Sequence, residues 1–279
     1  MTAFLGLLIA IGFVSSLIFN NSAILVFASL FAVGASVWSY WFSDRMVLHM
    51  THAKEVDRQN LKEVYDIVEN LAITAGLPMP KIYVIDDMAM NAFATGRNPD
   101  HGVIVFTRGL LEKLNTEEIR GVAAHEMAHI GNRDILIMTV AVIFTSLIAI
   151  ASRFMFFSGD SRRGGAIGMV VGLLLLIIAP LIAMVLRMAI SRKREFLADA
   201  TGAMLTRYPE GLASALEKIA ADDRPVATAS DTTAHLFIAN PLKRRKEGFS
   251  RIFASHPPIQ ERIARLREAD YGLDQQVEN

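Results

Sequence analysis

The chain has 279 residues, 52% of them hydrophobic, with 28 basic side chains set against 28 acidic ones. This balance gives no bulk attraction to nucleic acid. The absence of cysteine excludes disulfides, thiol nucleophiles and thiolate ligands, so any metal must be held by His, Asp or Glu.

No charged residue occurs before Asp44. One bilayer crossing takes about 20 apolar residues, so this stretch is long enough for two. Asn20, Asn21 and Ser22 form a polar break between them. Crossings are expected over 3–19 and 23–42, and the first lacks the basic start of a cleaved signal peptide. A water-soluble segment, 44–134, follows. In it "KIYVID" (81–86), "NAFATG" (91–96) and "GVIVFT" (102–107) read as short strands, with alternation clearest in the first.

"LNTEEIRGVAAHEMAHIGNRD" reads as a helix. Asn115 or Thr116 can cap its start, and Glu117 and Glu118 suit the positive end of the helix dipole. It contains H-E-x-x-H, a motif that is only suggestive by itself. Residues four apart share a helix face, so His125 and His129 project together and can share one metal. Glu126 then lies beside the first ligand, placed to touch the attacking water rather than the metal.

Two further uncharged runs, 135–152 and 166–186, are expected to cross the membrane; Pro180 would kink the second. In "SRKREFLADATGAML" (191–205), Glu195 and Asp199 are four apart on a second helix. Two readings stand open. Glu195 completes a metal site, with Asp199 accepting a hydrogen bond from a ligating imidazole and fixing its tautomer. Alternatively the stretch is a solvated turn at the membrane edge, beside Arg192, Lys193 and Arg194. Topology allows the first: an even number of crossings between His129 and Glu195 returns the chain to one face. The polar stretch 221–233 is expected to be flexible, and the basic run 243–248 to be solvated surface. Arg45, Arg133, Arg187, Arg192, Lys193 and Arg194 place their ends of the spans in the cytoplasm. Arg153, Arg162 and Arg163, in the short loop between the later runs, argue against that orientation.

These residues resemble the HtpX family of membrane zinc metalloproteases, which is related more distantly to the CAAX prenyl proteases. The similarity rests on "HEMAHIGNRD" (125–134), "SRKREFLADATGAML", "NAFATG", "AHLFIANPL" (234–242) and "SHPPIQERIARL" (255–266), and extends over essentially the whole chain. It implies His125, His129 and Glu195 as ligands of one zinc ion and Glu126 as the catalytic glutamate. It further implies that Asn91, Ala92, Phe93 and Ala94 pair with a substrate backbone by strand addition. His256 would help to stabilise the oxyanion, with Arg262 orienting it or contacting substrate. The implied role is quality control and stress response. Misfolded membrane proteins would be cleaved at the cytoplasmic face of the bacterial inner membrane, with self-cleavage besides.

The expected fold is mainly α: four transmembrane helices, and a helical zincin-like protease domain carrying a small β-sheet. The hairpins are 1–43 and 135–190, and 44–134 and 191–279 build the protease domain together. A prenyl-protein endopeptidase shares this chemistry, but four spans are few for its enclosed chamber. A zinc-stapled, non-catalytic scaffold would want four protein ligands. A zinc transporter would want ligands within the spans.

Overall fold

The computed structural model describes residues 20–139, 192–243 and 257–268, together with Ile9, Gly12, Phe13, Ser16, Leu17 and Val142. The chain divides into two units, Met1–Ser43 with Val140–Arg187, and Asp44–Thr139 with Met188–Asn279.

Helix α1 (Ser22–Met50) begins at the polar break and runs without interruption through Asp44 and Arg45. In its first unit Val26, Phe27, Leu30 and Trp41 are exposed. Among the described residues no helix is long and apolar enough to cross a membrane. The expected crossing over 23–42 lies within α1; those over 3–19, 135–152 and 166–186 lie largely outside the described residues.

The second unit is organised around one helix that is buried nearly all round. Its other elements are β1 (Lys54–Glu55), α2 (Lys62–Ala75), β2 (Lys81–Ile85), β3 (Ala92–Thr95), β4 (Val103–Thr107), α3 (Arg108–Lys113), α5 (Arg192–Thr206), α6 (Pro209–Ala221) and α7 (Ile259–Glu268). The central helix is α4 (Thr116–Gly131), in which every residue from Glu118 to Ile130 except Arg120 is buried. A helix without a solvated face must be covered on all sides, and α2, α5, α6, β3 and β4 supply the cover. Asn115 starts it with a reciprocal capping box: the Asn115 side chain accepts from the Glu118 amide, and Glu118 accepts from the Asn115 amide. The buried Glu118 carboxylate also accepts from Ser214 Oγ at 2.6 Å and Lys218 Nζ at 2.7 Å, which ties the start of α4 to α6.

The sheet has the order β1-β2-β4-β3. β4 is central and wholly buried, as its unbroken apolar run requires. It pairs in parallel with β2 and antiparallel with β3, whose register sets Phe93 against Val105 and Ala94 against Ile104. β3 is therefore an edge strand. The three strands lie where alternation and turn residues put them; the two-residue β1 has no local signal. The polar stretch 221–233, expected to be flexible, instead has specific partners. The Val226 amide donates to Pro241 O, the Ala227 amide donates to Asp87, and Thr233 is buried. The Asp87 carboxylate and the Pro241 carbonyl satisfy its backbone, which composition alone does not reveal.

Two glycines set how closely the helices approach. A Cβ on Gly121 would lie 2.5 Å from the Leu212 amide nitrogen of α6, and one on Gly202 would lie 3.0 Å from the His125 nitrogen. The obstructing atoms are backbone, so they cannot rotate away. Gly121→Ala should cost about 1–3 kcal/mol through overpacking, lowering the thermal midpoint by about 2–4 °C per kcal/mol. Gly131→Ala, whose Cβ would meet only the Leu77 side chain, should leave it nearly unchanged. Circular dichroism melts of the two variants check this.

Candidate metal centre

Helical period places His125 and His129 on one face of α4, and Gly202 lets the backbone of α5 close onto that face. Glu195, in the first turn of α5, then reaches both imidazoles. His125 Nε2 and His129 Nε2 are 3.2 Å apart. Glu195 Oε1 is 3.6 Å from the second and Oε2 is 3.9 Å from the first. All three side chains are buried. Tetrahedral ligands roughly 2.0–2.2 Å from a zinc ion lie roughly 3.3–3.6 Å from one another, so the triangle has the size that the ion requires.

Each imidazole is held by a carboxylate through its other nitrogen. His125 Nδ1 is 3.0 Å from Asp199 Oδ1, and His129 Nδ1 is 3.1 Å from Asp134 Oδ2. With both Nδ1–H groups so engaged, the two Nε2 lone pairs face each other, which is repulsive unless a cation or a proton lies between them. Charge favours the cation. The carboxylates of Glu126, Asp134, Glu195 and Asp199 are all buried. Among the described groups joined around the site, two guanidiniums answer them, Arg262 and Arg194. A divalent ion among these carboxylates would offset their remaining charge.

Arg262 is 0% exposed. Its Nε donates to Asp199 Oδ2 at 2.9 Å and its Nη2 to Asp199 Oδ1 at 2.7 Å. Nη1 donates to Ile238 O at 2.9 Å and lies 3.6 Å from Glu195 Oε2. The donors of Arg262 are turned to Asp199, Ile238, Glu195 and His125. His256 lies outside the described residues.

Environment separates the titrating groups. Burial pushes Glu126 up to about 7, and neither a cation nor a hydrogen bond holds its Oε1. Burial also raises Asp199, but Arg262 and His125 outweigh it and hold the group at about 2. Burial, with Arg262 nearby, pushes His125 down to about 4. Burial acts in the same sense on His129, yet Asp134, Glu195 and Glu126 outweigh it and the net shift is upward.

Asn91, Ala92, Phe93 and Ala94 lie beside the metal-site helix. All four are buried, and the Ala94 amide faces the Glu126 carboxylate. Asn91 uses its side chain within the protein: Nδ2 donates to Ala239 O at 3.0 Å, and Oδ1 accepts from the Ala92 amide at 3.1 Å. The sequence reading missed Asp134 and Arg194, which form an ion pair with each other. The available signal was a carboxylate just past the end of the metal helix, matching the one that follows Glu195.

Comparison with known proteins agrees with this geometry. The profile of peptidase family M48 matches residues 58–270. The protease HtpX homolog of Thermococcus sibiricus is 44% identical over 278 residues, covering 96% of this chain and 93% of its own. That of Desulfatibacillum aliphaticivorans is 46% identical over 252 residues, covering 88% and 81%. The crystal structure of S. mikatae Ste24p shares the fold, with a TM-score of 0.54 at 22% identity over 87% of this chain and 58% of that one. The chain belongs to peptidase family M48 and is a metallopeptidase that acts on protein substrates.

Asp134→Asn keeps the shape of the side chain but removes its charge. It should weaken binding of a divalent metal by about 10–100-fold, measured with zinc as the probe in competition against a chromophoric chelator.

Proposed function

We propose that this M48 metallopeptidase is a membrane-integrated zinc endopeptidase that clears misfolded or damaged membrane proteins. The observation that carries the chemistry is the buried His125–His129–Glu195 triangle with the Glu126 carboxylate beside it. Two imidazoles and a carboxylate favour zinc. His125, His129 and Glu195 would hold it, leaving the open fourth position of a catalytic site. When bound, zinc supplies Lewis acidity, polarising the scissile carbonyl and acidifying water.

Glu126 acts as the general base. It takes the proton of the attacking water and passes it to the leaving amine, so that no covalent intermediate with the protein forms. Asp199 and Asp134 keep the Nδ1 protons of the two imidazoles, which leaves each Nε2 free for the metal. The peptide adds as a strand to the outer edge of β3, beside Glu126. His256 would assist at the oxyanion.

The membrane part of the reading is supported by the uncharged first 43 residues and by the exposed Phe27, Leu30 and Trp41 of α1. Four spans in two hairpins, 1–43 and 135–190, would carry the protease segments 44–134 and 191–279. The division of the chain into two units follows nearly the same boundaries. The basic residues flanking the spans favour a site facing the cytoplasm, on the inner membrane of a bacterium, where lipid surrounds the hairpins. Self-cleavage follows from an unfolded segment of one copy reaching the site of another.

Glu126→Gln should retain about one zinc per chain yet lose about 10²–10⁴-fold in cleavage of an unfolded protein. The comparison uses purified protein with zinc content measured in the same samples. Full activity in the variant would remove Glu126 from the mechanism. The base works as the carboxylate, and burial raises its pKa to about 7. Activity should therefore fall on the acid side of the profile, because protonation removes the base. The pH profile of kcat/KM for the zinc-loaded enzyme measures this.

A further inference from the structure

On an antiparallel edge, the N–H and C=O groups of alternate residues face away from the sheet. The Thr107 amide donates to Asn91 O at 3.0 Å, and the register pairs Phe93 with Val105. Asn91 and Phe93 therefore face β4, while Ala92 and Ala94 face outward. The outward groups of Ala92 are already used. Its N–H is held by Asn91 Oδ1 at 3.1 Å, and its C=O accepts from the Ile238 amide at 2.9 Å. The Ala94 N–H faces Glu126, and the Ala94 C=O has no protein partner among the described residues.

We infer that segment 237–239 is a fixed end wall of the peptide groove, so that a bound peptide pairs with β3 at Ala94 and not at Ala92. The inference rests on the strand-addition reading above and names its limit.

The wall is built into the core. Phe237, Ile238 and Ala239 are 0%, 1% and 1% exposed. Phe237 packs edge-to-face on Phe93 with ring centroids 4.9 Å apart. Asn91 Nδ2 holds Ala239 O, and Arg262 Nη1 holds Ile238 O from the far side. Arg262 is in turn bound through two nitrogens to Asp199. A peptide that took the Ala92 carbonyl would gain one hydrogen bond. It would displace the Ile238 amide and disturb the two bonds and the aromatic contact that seat the segment. The exchange is unfavourable, because a buried guanidinium stripped of a partner costs more than one neutral bond returns.

A peptide can thus zip along the edge on the Ala94 side of Glu126, whereas on the Ala92 side it must leave the plane of the sheet. Backbone recognition is one-sided. The suitable substrate is extended on one flank of the scissile bond and unconstrained on the other.

The test uses full-length wild-type enzyme with zinc and an unstructured peptide cleaved at one bond. Each backbone amide within four residues of that bond is N-methylated in turn, the scissile amide excepted, and KM and kcat are measured. Methylation of the one amide that donates to the Ala94 C=O should raise KM about tenfold, the loss expected for one hydrogen bond, with less than a twofold change on the other flank. Comparable sensitivity on both flanks would mean that Ala92 pairs as well, and would overturn the wall. Insensitivity on both flanks would overturn strand addition itself, and the wall with it.

Discussion

The Asp199 carboxylate accepts from the Arg262 guanidinium through both oxygens and from the His125 imidazole through one of them. Removing an arginine from water entirely is tolerable only when its donors and its charge are met. Asp199 meets three of those needs at once, and Ile238 O takes a further donor. One buried ion pair thereby joins α5, which carries Glu195, to α7 and to the segment lying against β3. It also settles which nitrogen of His125 faces His129 and Glu195. Loss of Asp199 would leave an uncompensated buried cation as well as a mis-set ligand.

The same arrangement gives four buried carboxylates different work. Asp199 and Asp134 each sit against a guanidinium and an imidazole, so each accepts from the Nδ1 side of one histidine. Glu195 lies between the two Nε2 atoms and Arg262. Glu126 forms no ion pair with an arginine or lysine among the described residues, and desolvation moves it to about 7. Burial is common to all four; the adjacent Arg262 guanidinium is what separates Asp199, held low, from Glu126, pushed up.

Much of this was legible in the sequence where spacing maps directly onto geometry. The i, i+4 interval of His125 and His129, and of Glu195 and Asp199, names a helix face whatever the tertiary structure. Asn115 and Glu118 announce a helix start, and "GVIVFT" a buried strand. The remainder depends on contacts between distant parts of the chain. Arg262 follows His125 by 137 residues, and nothing in the pattern of α7 says that its arginine turns inward to Asp199. The wall at 237–239 has no periodicity, and its meaning arises only from the Ala92 carbonyl that it meets. Asn91, expected to hold substrate, sits in a strand edge that the chain itself partly occupies. The hydrophobic runs beyond Thr139 lie outside the described residues, so their reading stands on composition alone.

The scattering of the site along the chain has a consequence for synthesis. Residues 125–134 leave the ribosome first, 195–199 later, and Arg262 later still. Until Glu195 emerges, the two imidazoles lack their carboxylate partner. Until Arg262 emerges, Asp199 lacks its counter-charge and the wall lacks its support. A half-made chain is a protein with a recognisable protease motif and no protease.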